Sequence, residues 1–287
     1  MNAILEVNNL AKGYKGSDFR LKDVSFSIPP GAIMGFVGEN GSGKSTTIGC
    51  ILNTLIKESG SVKIFGQEMT DDSIDIRDEI GVVYDTNRFP GYLTPTNIST
   101  AMAHFFSKWD DALFKEYLSK FKLPEKQKVK EFSRGMAMKL GLAVALSHHP
   151  KLLVLDEATS GLDPIARDDM LDVFLEFVQD ENNSILISSH ITSDLEKVAD
   201  YITFIHDGCI IFSEAKDSLI YNYGLMRCKA AQFEEIARED ILAYRKRDYQ
   251  TDVLVSDRQA SGRKYRDVVI DSISIEEIML MLVKGER

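Results

Sequence analysis

The chain has 287 residues, 44% of them hydrophobic, and a formal net charge of −10. This length allows one large domain with a buried core and a smaller second one, and the acidic balance excludes a nucleic-acid partner from our expectations. The three widely spaced cysteines predict a reduced, cytoplasmic protein, and neither a signal pattern nor a membrane-spanning apolar run is expected.

Short apolar runs and helical patterns alternate along the first three quarters of the chain. Predicted strands are ILEVNNL (4–10), VSFSI (24–28), IMGFV (33–37), SVKIFG (61–66), IGVVY (80–84), KLLVLDEA (151–158) and SILISSH (184–190). Predicted helices are TTIGCILNTL (46–55), the helix-like region 94–150 with Thr94 as N-cap and Pro95 at its first position, and PIARDDMLDVFLEFV (164–178). YITFIHDGCIIF (201–212) reads as a hairpin that turns on Asp207 and Gly208. Strands that alternate with helices in this way predict an α/β fold with parallel strands.

A glycine-rich loop separates the strand at 33–37 from the helix after it. GENGSGKS (38–45) matches the phosphate-binding pattern G-x-x-x-x-G-K-[ST]. Gly38, Gly41 and Gly43 leave room for backbone N–H groups to close around phosphate oxygens. Lys44 would place its charge at the β- and γ-phosphates, and the Ser45 hydroxyl would ligate Mg²⁺. The loop therefore predicts binding of a nucleoside triphosphate.

Two carboxylates end the strand in KLLVLDEA. Asp156 and Glu157 follow four apolar residues, which predicts that both lie at the carboxyl edge of a buried strand, where ligands bind in such sheets. We expect Asp156 to hold Mg²⁺ through water and Glu157 to polarise the attacking water. The alternative is an acidic strand end that simply meets solvent, and the phosphate loop makes it less favoured.

Two further motifs, SGLD (160–163) and SSH (188–190), follow the phosphate loop and KLLVLDEA. With these motifs in the order that the family shows, residues 3–215 resemble the ATP-binding cassette (ABC) ATPases, the nucleotide-binding subunits of transporters. The resemblance implies a P-loop NTPase fold with an antiparallel β subdomain and a helical subdomain at about 88–150. It implies that Asp163 bridges to an opposite subunit and that His190 contacts the γ-phosphate and joins Lys44 and Glu157 in catalysis. Tyr14 would stack on adenine. The implied ATP-binding residues are Tyr14, Gly38, Glu39, Asn40, Gly41, Ser42, Gly43, Lys44, Ser45 and Thr46.

FSRGM (132–136) stands where the family carries its signature, LSGGQ. A helix that starts at Ser133 would expose unpaired N–H groups that attract an anion. The resemblance implies that Ser133, Arg134 and Gly135 bind the γ-phosphate of an ATP held by a second cassette. We therefore expect a head-to-tail homodimer or heterodimer around two ATP molecules. Signatures of this kind are similar to those of exporter subunits whose membrane domain is a separate chain.

The chain departs from the family at Asp85 in IGVVYD, where a Gln normally touches Mg²⁺ and signals to the membrane domain. An aspartate can ligate Mg²⁺, but it adds negative charge near the phosphates and cannot donate a hydrogen bond. Asn87 is an alternative replacement for that Gln. The predicted metal ligands are thus Ser45, Asp156 and Asp85.

Three functions are compatible with these motifs. The first is the ATP-hydrolysing motor of a membrane exporter, bound to a separate transmembrane permease and peripheral on the inner face of the cell membrane. The second is a soluble cassette ATPase on a non-transport scaffold, as in iron–sulfur assembly. The third is a module that clamps on ATP with little hydrolysis, which Glu157 and His190 disfavour. Phe89, Tyr92 and Leu93, predicted to be exposed, favour the first function over the second, unless they are ordinary loop residues.

Residues 218–287 are predicted to form a small α/β domain that follows an ABC ATPase domain at 1–217. Strands are predicted at TDVLVS (251–256) and RDVVID (266–271), around a polar turn DRQASGRK. We expect this domain either to steady the pairing of two cassettes or to stabilise only its own chain.

The last predicted helix runs from Ile275 to about Val283 and stops at Gly285. Ser274 and Glu277 form a capping box before it. The residues predicted for one apolar face are Ile275, Ile278, Met279 and Leu282. Because the other faces are also apolar, we expect this helix to be covered on more than one side.

Overall fold

The structure is a computed structural model that describes residues 3–86 and 89–286. The chain consists of two units, Met1–Ser213 and Glu214–Arg287. Asn87, the alternative replacement for the family's Gln, lies outside the described residues. No helix in the described ranges is both long enough and apolar enough to cross a membrane.

Strands and helices alternate along the first unit. Its strands are β1 (Leu5–Gly13), β2 (Arg20–Ile28), β3 (Ile33–Val37), β4 (Ser59–Ile64), β5 (Gln67–Glu68), β6 (Ile80–Tyr84), β7 (Leu152–Asp156), β8 (Ser184–Ser189), β9 (Tyr201–His206) and β10 (Cys209–Ala215). Its helices are α1 (Lys44–Ile51), α2 (Ile74–Arg77), α3 (Pro95–Phe105), α4 (Asp111–Lys120), α5 (Arg134–Leu146), α6 (Pro164–Phe177) and α7 (Thr192–Val198), with a 3₁₀ turn at Val129–Glu131.

A largely parallel sheet in the order β10-β9-β3-β8-β7-β6 forms the centre of this unit. β3 pairs in parallel with β8 and β9, and β7 pairs in parallel with β6 and β8. β3, β7 and β8 are buried along their whole length, as parallel strands covered on both faces are. The predicted α/β class with parallel strands is confirmed. The carboxyl ends of β3, β6, β7 and β8 consequently meet at one edge of the sheet.

A second, antiparallel sheet has the order β2-β1-β4-β5 and packs on the first through a shared core. Buried and exposed residues alternate along much of β2, as expected for a strand with one solvated face. Phe26 of β2 stacks on Phe36 of β3 with ring centroids 5.2 Å apart. The antiparallel β subdomain of the predicted fold is therefore present.

The helix-like region 94–150 consists of α3, α4 and α5. Thr94 caps α3 by accepting a hydrogen bond from the Asn97 N–H, and Pro95 is its first residue, as predicted. The exposure predicted before α3 is right only for Tyr92, which is 71% exposed, since Phe89 and Leu93 are half-buried. The helix predicted at 46–55 begins earlier and ends at Ile51, before Asn53 takes a left-handed conformation with φ 54°.

The predicted hairpin of β9 and β10 turns on Asp207 and Gly208, which have φ values of 46° and 75°. Positive φ at both central residues is the geometry of a type I′ turn, whose twist matches that of the strands. The Gly208 N–H donates to the Ser42 carbonyl at 3.0 Å, so the turn supports the glycine-rich loop.

The second unit is a small α/β structure built on an antiparallel sheet in the order β12-β13-β11-β14. Its strands are β11 (Gly224–Cys228), β12 (Ala243–Lys246), β13 (Thr251–Val255) and β14 (Val269–Asp271). Its helices are α8 (Lys216–Asn222), α9 (Ala230–Phe233), α10 (Arg258–Lys264) and α11 (Ile275–Lys284), with a 3₁₀ turn at Arg238–Asp240.

The polar turn predicted at DRQASGRK is wrong, because α10 occupies it. Asp257 caps this helix by accepting a hydrogen bond from the Ala260 N–H at 2.8 Å. Such a cap stabilises a helix whose polar sequence has no apolar periodicity. The strand predicted at 266–271 is observed only at β14 (Val269–Asp271), because α10 and the segment after it occupy the residues before Val269.

The last helix, α11, has the predicted capping box of Ser274 and Glu277. Its buried residues are Ile275, Ile278 and Met281, while Met279 and Leu282 of the predicted face are half-buried. The predicted face is therefore displaced by part of a turn.

Candidate active site

The glycine-rich loop of residues 38–43 connects β3 to α1, and its own fold requires glycine. A side chain at Gly38 would place its Cβ 2.4 Å from Ser42 Oγ and 2.5 Å from the Ile205 carbonyl oxygen. Gly43, the N-cap of α1, has a φ of 115°, which residues with a side chain rarely adopt. Glycine is therefore required here for the fold of the loop itself, in addition to the predicted need for space around phosphate oxygens.

Lys44 is the first residue of α1, directly after this loop, and is only 5% exposed. Its Nζ donates hydrogen bonds to the carbonyl oxygens of Gly38, at 2.8 Å, and Glu39, at 3.2 Å. The same nitrogen lies 3.1 Å from Glu157 Oε1, in an ion pair that lacks the alignment of a hydrogen bond. The loop thus holds a cation where phosphate oxygens could replace a carboxylate.

Asp156, the last residue of β7, is tied to hydroxyl groups of two other elements. Ser45 Oγ donates to Asp156 Oδ1 at 3.2 Å, and Ser188 Oγ donates to the same oxygen at 2.7 Å. Ser45 and Asp156 therefore fit a Mg²⁺ site, because Mg²⁺ in nucleotide sites takes few protein ligands and completes its shell with water and phosphate. Within the described ranges, no group of three or more His, Cys, Asp or Glu side chains could hold a metal by itself.

Ser188 is a site residue that the sequence reasoning missed. The register of β7 and β8 pairs Ser188 with Asp156, and Ser188 Oγ also accepts a hydrogen bond from the Glu157 N–H at 3.1 Å. Its position two residues before His190 was visible in the sequence. Only the pairing of the two strands shows that one hydroxyl orients both acidic residues.

Glu157 follows β7 in a left-handed conformation, with a φ of 55°. Strained backbone of this kind concentrates at functional sites, where the surrounding structure holds it. His190 Nδ1 lies 2.6 Å from Glu157 Oε2, so the carboxylate stands between the imidazole of His190 and the ammonium of Lys44. The three predicted catalytic residues therefore meet, in an arrangement that can accept a proton from water beside a phosphate.

Tyr14 lies beside the start of α1. Its hydroxyl is 3.2 Å from Thr46 Oγ1, and its side chain is 41% exposed. Lys12 Nζ lies 5.3 Å from the ring centroid. An exposed aromatic ring fixed next to the phosphate loop can stack on a base. Glu39, Asn40 and Gly41 form the exposed rim of the same loop.

Asp85 lies at the same edge of the sheet as Asp156, the last residue of β7, and Glu157, which follows it. It follows Tyr84, whose Cα is paired in register with that of Asp156. The side chain is exposed, so the structure brings Asp85 to the site without enclosing it. Its role as a metal ligand stays a prediction.

The signature residues form the N-terminus of α5. Ser133 caps this helix by accepting a hydrogen bond from the Met136 N–H at 3.2 Å. The guanidinium of Arg134 lies over Gly161, where an added Cβ would be 2.9 Å from Arg134 Nη1. A Cβ on Gly135 would lie 3.4 Å from Ala166 Cβ, so the starts of α5 and α6 are adjacent.

Asp163 caps α6 by accepting hydrogen bonds from the N–H groups of Ile165, at 3.1 Å, and Ala166, at 3.0 Å. The hydrogen bonds from Ala166 and Ile165 lower the pKa of the Asp163 carboxyl below its usual value. Within its own chain Asp163 thus has a structural partner, and the predicted bridge to another subunit stays a prediction.

Comparison with known proteins agrees with this geometry. The family model described as ABC transporter matches residues 21–160. The bacitracin transport ATP-binding protein of Bacillus licheniformis is 34% identical over 213 residues, 74% of this chain and 69% of that protein. The lantibiotic transport ATP-binding protein of Streptococcus pyogenes is 35% identical over 218 residues, 75% of this chain and 92% of that protein.

Solved structures share the fold. The ATP-binding subunit of an ABC transporter superposes with a TM-score of 0.68 at 27% identity, over 75% of this chain and 91% of that one. An ATP-binding cassette solved as a dimer with ADP and Pi has a TM-score of 0.66 at 21% identity, over 74% of this chain and 98% of that one. On these matches and on the site formed by the phosphate loop, Asp156 and Glu157, the chain belongs to the ABC transporter family, as an ATP-binding subunit that hydrolyses ATP to drive transport.

Proposed function

We propose that this chain is the ATPase subunit of an exporter and works in a pair of cassettes bound to a separate transmembrane permease. The observation that carries the proposal is the contact of Lys44, Glu157 and His190 at the phosphate loop, with distances of 3.1 Å and 2.6 Å. A module that only clamps ATP has no use for a carboxylate held beside the phosphate-binding cation. This arrangement therefore favours turnover over simple binding.

ATP enters with its phosphates on the glycine-rich loop and its adenine on Tyr14. The backbone N–H groups at the start of α1 and the ammonium of Lys44 hold the phosphates. Ser45 and Asp156 would hold Mg²⁺, with Asp85 at the same edge, and the metal would supply charge neutralisation at the phosphate oxygens.

Glu157 takes a proton from the attacking water. Lys44 exchanges the Glu157 carboxylate for phosphate oxygens when ATP binds, because these carry more charge. The carboxylate then keeps His190 as its partner through Nδ1 and faces the water, and the other ring nitrogen of His190 is left for the γ-phosphate.

Two cassettes complete each other's sites. In the described ranges, Ser133, Arg134 and Gly135 make no hydrogen bond or ion pair with residues 38–46, so one chain does not bring its own signature to its own phosphate loop. A head-to-tail pair, of identical or paralogous chains, places each signature on the γ-phosphate held by the other chain. Asp163 then lies near the contact between them.

An apolar groove in the first unit is where we expect the permease to bind, which would hold the chain peripherally on the inner face of the membrane. The groove has a volume of about 350 Å³ and lies between β6 and α3, with Val82, Tyr84, Met102 and Phe106 in its walls. A short helix with an apolar face fits such a groove. Bacitracin and lantibiotics, for which the two relatives are named, are the cargo to test first.

Purification of the tagged chain from detergent-solubilised membranes of its native cells tests this function. We expect a multi-span membrane protein to co-purify, and Met102→Glu in the groove to release it because a charge is buried against the permease. Ala103→Glu, exposed on the same helix, is the matched control and should retain the partner. A soluble scaffold in place of a membrane protein would favour the iron–sulfur type of function instead.

A further inference from the structure

A partly buried ion pair joins α6 to α7, with the Arg167 side chain 27% exposed. Arg167 Nη1 in α6 lies 3.6 Å from Asp194 Oδ1 in α7, and Asp194 is 3% exposed. α6 starts immediately after the SGLD loop, residues 160–163, and α7 starts two residues after His190. The pair therefore connects the elements that follow two different site loops.

Arg167 also contacts the SGLD loop directly. Its Nη2 donates a hydrogen bond to the Leu162 carbonyl at 3.2 Å. One guanidinium thus contacts the backbone of the SGLD loop with one nitrogen and Asp194, in the first turn of α7, with another. The guanidinium uses two separate nitrogens for the two contacts, whereas the single nitrogen of a lysine would have to lie close to both oxygens.

The stability of the fold does not explain this pair. Asp194 Oδ2 and Arg167 Nε are buried and have no hydrogen-bond partner among the described residues. Burial of charges that are incompletely hydrogen-bonded is unfavourable. The same two helices already share an exposed ion pair, Lys197 with Asp168 at 3.3 Å, with side chains 61% and 66% exposed.

α7 and its N-cap Ile191 connect Asp194 to His190 along the backbone. Leu195 packs so closely on β3 that a Cβ added at Gly35 would lie 3.0 Å from Leu195 Cδ1, which fixes the inner side of this short helix. Asp194 is in its first turn, and His190 lies just before it and contacts Glu157 at 2.6 Å. A path therefore runs from the Leu162 carbonyl through Arg167 to Asp194, along the backbone to His190, and from the His190 ring to the Glu157 carboxylate.

We propose that Arg167 and Asp194 are positioning residues that set His190 and Glu157 according to the conformation of the SGLD loop. That loop lies at the proposed contact between two cassettes. The ion pair of Arg167 and Asp194 therefore makes ATP hydrolysis depend on dimerisation of the cassettes, while binding of ATP to one chain does not depend on dimerisation. The inference rests on the proposed role of His190.

Steady-state ATPase kinetics of the full-length chain test the proposal. Asp194→Asn keeps the shape of the side chain and removes its charge, and Arg167→Lys keeps the charge and removes the fork. Each should lower kcat about tenfold, while KM for ATP and nucleotide affinity stay within about twofold. In the double variant Arg167→Gln with Asp194→Asn, two neutral side chains can pair, so kcat should be no lower than in the worse single variant.

Matched controls come from the exposed pair. Lys197→Gln and Asp168→Asn should leave kcat, KM and the thermal midpoint unchanged. Single variants of the Arg167–Asp194 pair that keep kcat within twofold, or that lose activity only in parallel with folded protein and bound nucleotide, overturn the proposal.

His190→Ala separates the proposed function of His190 from the positioning role of Arg167 and Asp194. If it keeps wild-type turnover, the proposed function of His190 is wrong; if it abolishes turnover while Asp194→Asn does not lower kcat, only the positioning role is wrong.

Discussion

At the scale of single residues, Glu157 has two partners, Lys44 and His190, and the proposed mechanism has ATP take the place of Glu157 at Lys44. Lys44 and His190 hold its two oxygens, and the left-handed backbone at φ 55° aims the side chain between them. In the proposed mechanism the carboxylate competes with the phosphates of ATP for Lys44 and then serves as the base. A substitution that removes only the charge should affect these two roles in opposite directions.

We predict that Glu157→Gln lowers turnover by roughly 10²–10⁴-fold, the range for loss of a general base. ATP binding should persist and become somewhat tighter, because a neutral amide no longer competes for Lys44. Single-turnover hydrolysis together with a fluorescent-nucleotide titration measures both effects. Lys44→Ala is the contrasting variant and should weaken binding itself. Near wild-type turnover in Glu157→Gln would remove Glu157 from the role of base.

At the scale of elements, the starts of α5 and α6 form one surface. Ser133 and Asp163 cap the two helices, and Gly135 lies against Ala166. Both helices are long enough for their N-terminal dipoles to favour an anion. The signature is therefore a helix start with its cap in place, so the proposed contact with a phosphate of another chain would need no refolding.

We predict that Ser133→Arg prevents ATP-driven pairing and leaves ATP binding to the single chain nearly unchanged. The larger side chain would fill the position where the γ-phosphate of the partner must dock. Light scattering with ATP, in the Glu157→Gln background, measures pairing.

This variant also loses a helix cap, which costs about 1 kcal/mol of stability. Asp110→Ala controls for that loss, because Asp110 caps α4 by accepting from the N–H groups of Ala112 and Leu113. The control should pair normally. ATP-dependent dimers of Ser133→Arg would show that the signature does not bind the partner's ATP.

At the scale of the whole molecule, the chain adds a second unit to the cassette. This unit has a hydrophobic core of its own, formed by Met226, Cys228, Ile236, Val253 and Val255. Burial raises the pKa of the Cys228 thiol to about 11, so this cysteine is an apolar filler and not a reactive group. These features are consistent with the proposed small domain at 218–287 and with a role outside the chemistry.

Deletion of residues 218–287 tests whether this unit steadies the pairing of cassettes. We expect the truncated chain to keep its thermal transition and its ATP affinity, since the phosphate loop, Asp156 and Glu157 all belong to the first unit. Pairing with ATP should weaken, as measured by light scattering at several protein concentrations. If pairing is as strong as in the intact chain, the unit stabilises only itself.

The sequence by itself determined the features that contiguous residues create. The phosphate loop was predicted because one short segment supplies the glycines, the cation and the hydroxyl. The caps at Thr94 and Ser274 were predicted because a cap involves residues three apart in the chain. Interactions of this range depend little on what the remainder of the chain does.

Only the tertiary structure decided which distant side chains meet. The sequence did not indicate that Ser188 binds Asp156 and Glu157, that Arg134 covers Gly161, or that Arg167 joins Leu162 to Asp194. Strand register and helix packing fix these contacts, and both result from burial summed over many residues of the core. A local pattern cannot contain that sum, so the residues that carry chemistry were predictable, while those that hold them in position were not.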